Sequence, residues 1–384
     1  MRLVHTGDWH LTEGPTFDST LRCLRALVTS VEHAPPGAWL IGGDLAGTQV
    51  PHRQTIPERM ALADIFQSMA QVAPVVICYG NHDYEHDLDV FGRLEAPCPI
   101  IVVDRPRILD LRSPEAWLRG RLYVLPYPTK RYYVAASGEG AIADQKAGVE
   151  HNLRLILSDW TADRRAHPEL PAIMLAHLNI GGSRVAGGEV LIGEEIELSP
   201  LDLEATGMDY VALSHIHLYQ QIAGNAWYAG SPDRSNFGES DEKGFLYVEI
   251  NEHEQRSLGV TRCLTPARRL ITVSVQLGEL GEIVADDVPS HIELLGAEVK
   301  LRIIHPEHVD PAIALAKLEA TVTADGARII KTERRILPVT RLRSEAILTA
   351  HSTADKLAAY WATLIPPPSV EQQTRCLQRL AALG

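Results

Sequence analysis

The sequence predicts a layered α/β architecture, and three observations carry that prediction. Short apolar, β-like runs alternate with helical stretches through residues 1–260. Those runs stop repeatedly at Asp, Asn or His, and in open α/β sheets ligands bind beyond the carboxyl ends of the strands. Beyond residue 265 the pattern becomes a small α+β one without ligand-rich motifs, and from about residue 344 it is helical.

Taken in order, RLVHTGD (2–8) reads as a strand ending in a carboxylate. Residues 18–32 place Leu21, Leu24, Leu27, Val28 and Val31 at helical intervals. AWLIGGD (38–44) is the next strand, and PERMALADIFQSMAQV (57–72) a helix with Pro near its start. PVVICYGNHD (74–83), PAIMLAHLN (171–179) and DYVALSHIH (209–217) repeat the strand-then-polar pattern, and RLYVLPY (121–127) repeats it without a metal-type ligand. After GFLYVEI (244–250) and SLGVTRCL (257–264) come strands LITVSVQL, EVKLRII and ARIIKTERR, with DPAIALAKLEATV as a helix among them. The tail reads as a helix, the stop IPPPS, and a helix from Val370 to Leu383. These shifts divide the chain into 1–265, 266–343 and 344–384.

The composition bounds the function classes. A chain of 384 residues suits two or three domains, and 45% apolar with 22% charged residues is ordinary for a globular protein. No apolar run reaches the roughly eighteen residues of a membrane span, and MRLVHTGDWH lacks the basic start and apolar core of a secretory signal. Cys23, Cys78, Cys98, Cys263 and Cys376 are scattered without a CxxC pair, so neither a disulfide framework nor a zinc finger is indicated. A reducing cytoplasm is the expected setting. The formal net charge of −13 argues against nucleic-acid binding through overall basic charge. A nucleic-acid enzyme stays open, because metal ions or a partner subunit can supply positive charge locally.

Five pieces carry the chemistry: Asp8-Trp9-His10, Gly43-Asp44, Gly80-Asn81-His82-Asp83, His177, and His215-Ile216-His217. Each offers oxygen or nitrogen and none sulfur, a donor set suited to Mn²⁺, Fe²⁺ or Zn²⁺. The D-x-H and H-x-H spacings are expected to send two side chains to one side of an extended segment. The set exceeds what one metal needs, and two metals sharing a carboxylate would use it all. Phosphodiester hydrolysis needs a strong nucleophile at neutral pH and neutralisation of developing charge. Two divalent ions about 3.5–4 Å apart supply both, and an adjacent imidazole can protonate the leaving oxygen. Singly, DxH, HxH or GD is common by chance; GNHD after an apolar strand is far more specific.

In this order the motifs resemble the calcineurin-like metallophosphoesterases, over roughly residues 1–260. The resemblance implies the layered metallophosphoesterase fold, a β-sandwich flanked by helices. It implies one metal on Asp8, His10, Asp44 and His217, and a second on Asp44, Asn81, His177 and His215, with Asp44 bridging. His82 would be the catalytic imidazole and Asp83 would orient it. The family has G-H-x-H where this chain has Ser214-His215-Ile216-His217. Within the superfamily the chain is similar to SbcD-type DNA repair nucleases. YAGSPDRSNFGESDEKGFLYVEI (228–250), GNHDYEHDLDVFGRL (80–94), and a small capping domain followed by a helical tail carry that likeness. It implies a nuclease domain over 1–265, a capping domain over 266–343, and a tail over 344–384 that docks on an SMC-like coiled-coil ATPase of the SbcC type. The implied activity is a Mn²⁺-dependent DNA exo/endonuclease, in a homodimer. The rival reading is a stand-alone phosphodiesterase acting on small nucleotides or simple diesters.

Other residues are weighed singly. Ser231 and Arg234 are candidates for substrate phosphate contact, against a plain turn with Arg234 paired to Glu239 or Asp241. Lys130, Arg131, Tyr132 and Tyr133 could form a stacking surface for single strands, against a solvated loop. His86 is expected to face solvent, and His5 to be a core histidine. Leu377, Leu380, Ala381 and Leu383 form an apolar stripe that fits a partner's coiled coil.

Overall fold

The computed structural model describes residues 1–47, 52–112, 119–128, 142–185, 196–251, 256–337, Ile347, 349–364 and 367–381. The contacts divide the chain into two units. The first is Met1–Thr272 with Ser290–Lys300 and Asp325–Ile330; the second is Val273–Pro289, Leu301–Ala324 and Lys331–Gly384.

The first unit is built on two six-stranded sheets. In one, parallel β1 (Arg2–Thr6), β2 (Ala38–Ile41), β3 (Val75–Cys78) and β4 (Ile100–Val103) are extended antiparallel by β13 (Gly244–Ile250) and β14 (Leu258–Leu264), in the order β14-β13-β1-β2-β3-β4. The other joins β5 (Arg107–Arg112), β6 (Arg119–Leu125), β7 (Ala172–His177), β10 (Tyr210–Ser214), β11 (Gln220–Ala223) and β12 (Ala226–Tyr228), in the order β11-β12-β10-β7-β6-β5. A two-stranded pair, β8 (Asn179–Ile180) with β9 (Glu197–Leu198), lies between β7 and β10 in sequence.

The central strands are apolar on both faces, and the period-2 alternation decides which layer each residue enters. Leu3, Leu40, Val76, Val124, Leu175 and Ala212 point into one core shared by the two sheets. Val4, Trp39, Ile41, Val75 and Ile77 point the other way, to a core closed by helices α1 (Phe17–Ser30) and α2 (Ile56–Ala70). Met174, Ala176, Val211 and Leu213 face a third core. That core is closed by α3 (Ile142–Ala166), which presents Val149, Leu153, Leu157 and Trp160. The result is the predicted helix-flanked β-sandwich. The α3 helix was not predicted, although those four residues recur at helical spacing. Its charged faces dilute the apolar signal in a solvated helix of 25 residues. The start of α2 is fixed locally by a reciprocal capping box between Thr55 and Glu58.

A third sheet, order β16-β15-β17-β18, comprises β15 (Leu270–Leu277), β16 (Ile283–Asp286), β17 (Glu298–His305) and β18 (Arg328–Ile336). Helices α4 (Pro200–Glu204), α5 (His291–Leu294), α6 (Ala312–Ala324), α7 (Thr353–Trp361) and α8 (Val370–Ala381) follow, and a short 3-10 turn (Phe91–Arg93) precedes β4. The second unit buries Val275, Leu301, Ile303, Leu315, Leu318 and Val322, a modest apolar set. No helix among the described residues is long and apolar enough to cross a membrane.

One close approach at the carboxyl end of the sandwich depends on glycine. A Cβ on Gly42 would stand 1.8 Å from Ser214 Oγ and 2.4 Å from Ser214 Cβ, with the next neighbour at 3.6 Å. The side chain that replaces the family's glycine at 214 therefore occupies space left by Gly42. Gly42→Ala is expected to lower the thermal midpoint by several degrees, because overpacking costs about 1–3 kcal/mol. Adding Ser214→Gly should restore most of it. Thermal unfolding of the two variants checks this, and an unchanged midpoint for Gly42→Ala would refute it.

Candidate metal centre

The ligand-bearing segments leave the strands at one edge of the sandwich. Asp8, His10 and His217 each bring a ligand atom to within 4.8 Å of the others, and Asp44, His177 and His215 form a second such group. Asn81 joins the second group, its Oδ1 lying 2.9 Å from His177 Nε2 and 3.0 Å from His215 Nδ1. The Asp44 carboxylate stands between the groups, with Oδ2 3.4 Å from His177 Nε2 and 3.9 Å from His10 Nε2.

The expected geometry of the D-x-H and H-x-H pairs needs correction. β1 ends at Thr6 and β10 at Ser214, so neither pair lies on an extended strand. Asp8, His10, Asp44 and His215 instead adopt positive φ, between 46° and 106°, a region costly for residues other than glycine. The middle residue of each pair is an anchor. Trp9 is buried, stacks on Phe66 at 5.5 Å, and donates from Nε1 to Thr6 Oγ1. Ile216 is buried in the core beneath α3. Each side chain pulled into a core leaves its flanking ligands turned into the site.

The donor chemistry fits cations. His177 Nδ1 donates to the Gly42 carbonyl oxygen and His10 Nδ1 to that of Gly47, which aims both Nε2 atoms into the site, where a metal would replace any proton on them. His10 Nε2 then faces His217 Nε2 at 2.9 Å, and His177 Nε2 faces His215 Nδ1 at 3.3 Å. Ring nitrogens that close need a proton or a metal cation between them. Burial, with His217 pushing the same way, lowers His10 to about 4 against the pull of Asp44 and Asp8. Burial also opposes a proton on His177, but Asp44 overrides it and carries the group up to about 9. Burial alone would raise Asp44, yet His177, His10 and His82 hold it well below the usual carboxylate range.

His82 belongs to neither ligand group. Its amide donates to Asp44 Oδ1 at 2.8 Å, its Nε2 lies 3.9 Å from Asp44 Oδ2, and its ring meets that of His10 edge-on. Its Nδ1 is buried without a hydrogen-bond partner among the described residues. The orienting role expected of Asp83 is therefore not what its side chain does. The Asp83 carboxylate accepts from the amides of Gly80, Asp44 and Leu45, tying the two ligand loops together. Burial and the neighbouring Asp44 push it up to about 7.

The substrate contacts expected of Ser231 and Arg234 also need correction. Ser231 is buried and donates to the Asp233 carbonyl oxygen. The Arg234 guanidinium is spent on the carbonyl oxygens of Glu239, Asp241 and Arg268. Both residues shape the loop they sit in. Lys130, Arg131, Tyr132 and Tyr133 lie outside the described residues. His86 is exposed and bonded to Asp89, and His5 is buried with Nδ1 against the Tyr210 hydroxyl, each as expected.

Two side chains at the site were not singled out from sequence. The Tyr127 ring lies 5.6 Å from that of His215 and 5.9 Å from that of His177. Its signal was the strand RLYVLPY, which stops at this edge with an aromatic where its neighbours carry ligands. Glu239 reaches His217 Nδ1 at 3.4 Å. Burial would raise its pKa, but His217 and Lys243 hold it down to about 2.

A helix-flanked β-sandwich with paired carboxylate–imidazole groups at one edge defines a class of dinuclear metallohydrolases. The family model of calcineurin-like phosphoesterases matches residues 1–219, and the chain belongs to that family. It is a metal-dependent hydrolase of phosphoester bonds. Elemental analysis is expected to find two divalent metals per chain, and one in His177→Ala. Chelation should lower the thermal midpoint by several degrees. A single site held at 100 times its Kd contributes about 2.7 kcal/mol to stability.

Proposed function

We propose that this hydrolase is a DNA exo/endonuclease, the nuclease subunit of an SbcCD-like repair complex, working with Mn²⁺. The observation that carries the catalytic part is His82, an imidazole held at the edge of both ligand groups while belonging to neither. The DNA part is supported by the likeness of residues 228–250 to the SbcD-type segment and by the α+β and helical regions that follow, which a hydrolase of small diesters does not need.

Divalent cations bound here would lower the pKa of water and neutralise the phosphoryl oxygens. The remaining work falls to this chain's residues. Asp8, His10 and His217 would hold one ion, Asn81, His177 and His215 the other, and Asp44 would contact both. As the new oxygen–phosphorus bond forms and the ester bond breaks, the leaving oxygen takes a proton from His82 Nε2. Asp83 keeps the Gly80–Asp83 turn locked against the Asp44 loop.

Partners follow the same reading: a homodimer, with the tail docking on the coiled-coil base of an SMC-like ATPase. The α8 helix leaves Val370 and Leu377 exposed, which supports a docking role; Leu383 lies outside the described residues. The net charge of −13 favours the second reading, a stand-alone phosphodiesterase of small nucleotides.

The two readings separate in one assay. The purified chain, alone and with its ATPase, is given Mn²⁺ with linear duplex DNA, single-stranded DNA or bis(p-nitrophenyl) phosphate. Cleavage of DNA is expected, and turnover of the small diester alone would overturn the nuclease reading. His82→Ala should lower kcat about 10²–10⁴-fold while both metals are retained. Unchanged kcat would remove His82 from the mechanism.

A further inference from the structure

Beyond the matched residues 1–219 lies a loop, 230–243, from which the side chains of Glu239 and Lys243 reach a single ligand, His217. His217 Nδ1 faces Glu239 Oε1 at 3.4 Å. Glu239 is 1% exposed, yet it is neither solvated nor isolated. Its Oε1 also accepts from Asn236 Nδ2 at 2.9 Å, and its Oε2 from Lys243 Nζ at 2.8 Å and the Ser235 amide at 3.3 Å.

Lys243 is as deeply buried as its partner. Its ammonium reaches the His217 carbonyl oxygen at 3.2 Å and Asp241 Oδ2 at 3.3 Å as well as Glu239. The same carbonyl accepts from the Ser231 amide. Gly230 makes that approach possible: its φ is +73°, and a Cβ there would stand 2.8 Å from the His217 oxygen. The loop thus holds His217 by its ring through Glu239 and by its backbone through Lys243 and Ser231.

A buried ion pair contributes little net stability, because desolvation offsets its attraction. One placed against a metal-type histidine has another use. An acceptor at Nδ1 keeps the proton there, so Nε2 presents its lone pair to the site at a fixed angle. His217 needs this more than its companions. His10 and His177 lean on backbone carbonyls, and the described contacts of His217 Nδ1 offer only the Glu239 carboxylate.

We infer that Glu239, kept in place by Lys243, is the positioning residue that fixes the tautomer and aim of His217 and so sets the affinity of the Asp8–His10–His217 group for its metal. This rests on the dinuclear metal reading. The probe is Mn²⁺ alone, titrated calorimetrically into the metal-free full chain. Wild type is expected to show two sites. Glu239→Ala should weaken one site 10–100-fold and leave the other unchanged, whereas Glu239→Gln, which keeps an acceptor oxygen, should lose less. Glu239→Ala/Lys243→Met removes the orphaned ammonium and should show the same one-site loss, so a folding defect of the single variant does not decide the matter. Wild-type affinity at both sites in these variants, or equal loss at both, would overturn the role of Glu239. A wild-type chain that binds no Mn²⁺ would instead overturn the metal reading beneath it.

Discussion

The arrangement on which the rest of this structure depends is the Asp44 carboxylate, a buried negative charge with imidazoles around it. Its Oδ2 lies within 4 Å of nitrogens from His10, His82 and His177, and Oδ1 takes the His82 amide. Removing a carboxylate from water costs several kcal/mol after relaxation. Among the described residues no arginine or lysine pairs with it, so its compensation there comes from protons on histidines or from metal cations. Two of those histidines already spend their Nδ1 protons on backbone carbonyls. Divalent metal cations complete the arrangement, as the family assignment supports.

Holding such a cluster together takes stabilisation from elsewhere. Four ligands sit at positive φ, each a strain of about 1–3 kcal/mol. What opposes that strain is visible in the packing. Trp9 and Ile216 are driven into cores on opposite outer faces of the sandwich, one beneath α2 and one beneath α3. The Asp83 carboxylate ties three amides from two loops. The apolar residue inside each ligand pair is therefore as much a part of the site as the ligands beside it.

Sequence reading reached the two ligand groups because their residue types are rare in such spacing and because apolar strands announce where the chain stops. It placed the ligand-bearing strands for the same reason, a run such as AWLI being apolar on both faces, but it gave no strand to β4, β5, β8, β9, β11, β12 or β16. It missed α3, whose four core residues are spread through a long polar helix. It misread how D-x-H converges, since a left-handed backbone leaves no compositional trace at Asp or His. Ser231, Asp83 and Arg234 were misassigned for one reason. A polar side chain near a site looks available in sequence, and only coordinates show that its hydrogen bonds are already taken.

The same distinction bears on charge. A chain of net charge −13 that handles phosphoesters needs a local reversal of sign. Arg234 and Lys243, the cations described in the loop beyond His217, do not supply it, since both are spent on neighbouring carbonyl and carboxylate oxygens. Imidazoles must be neutral to bind a metal, so among bound ligands only Asp8 and Asp44 would bring charge. A pair of divalent ions on that set leaves the site net positive, whereas a richer set of carboxylates would have cancelled it. Neutral ligands in the majority thus let an acidic protein present a positive centre to an anionic ester, confined to one edge of the sandwich.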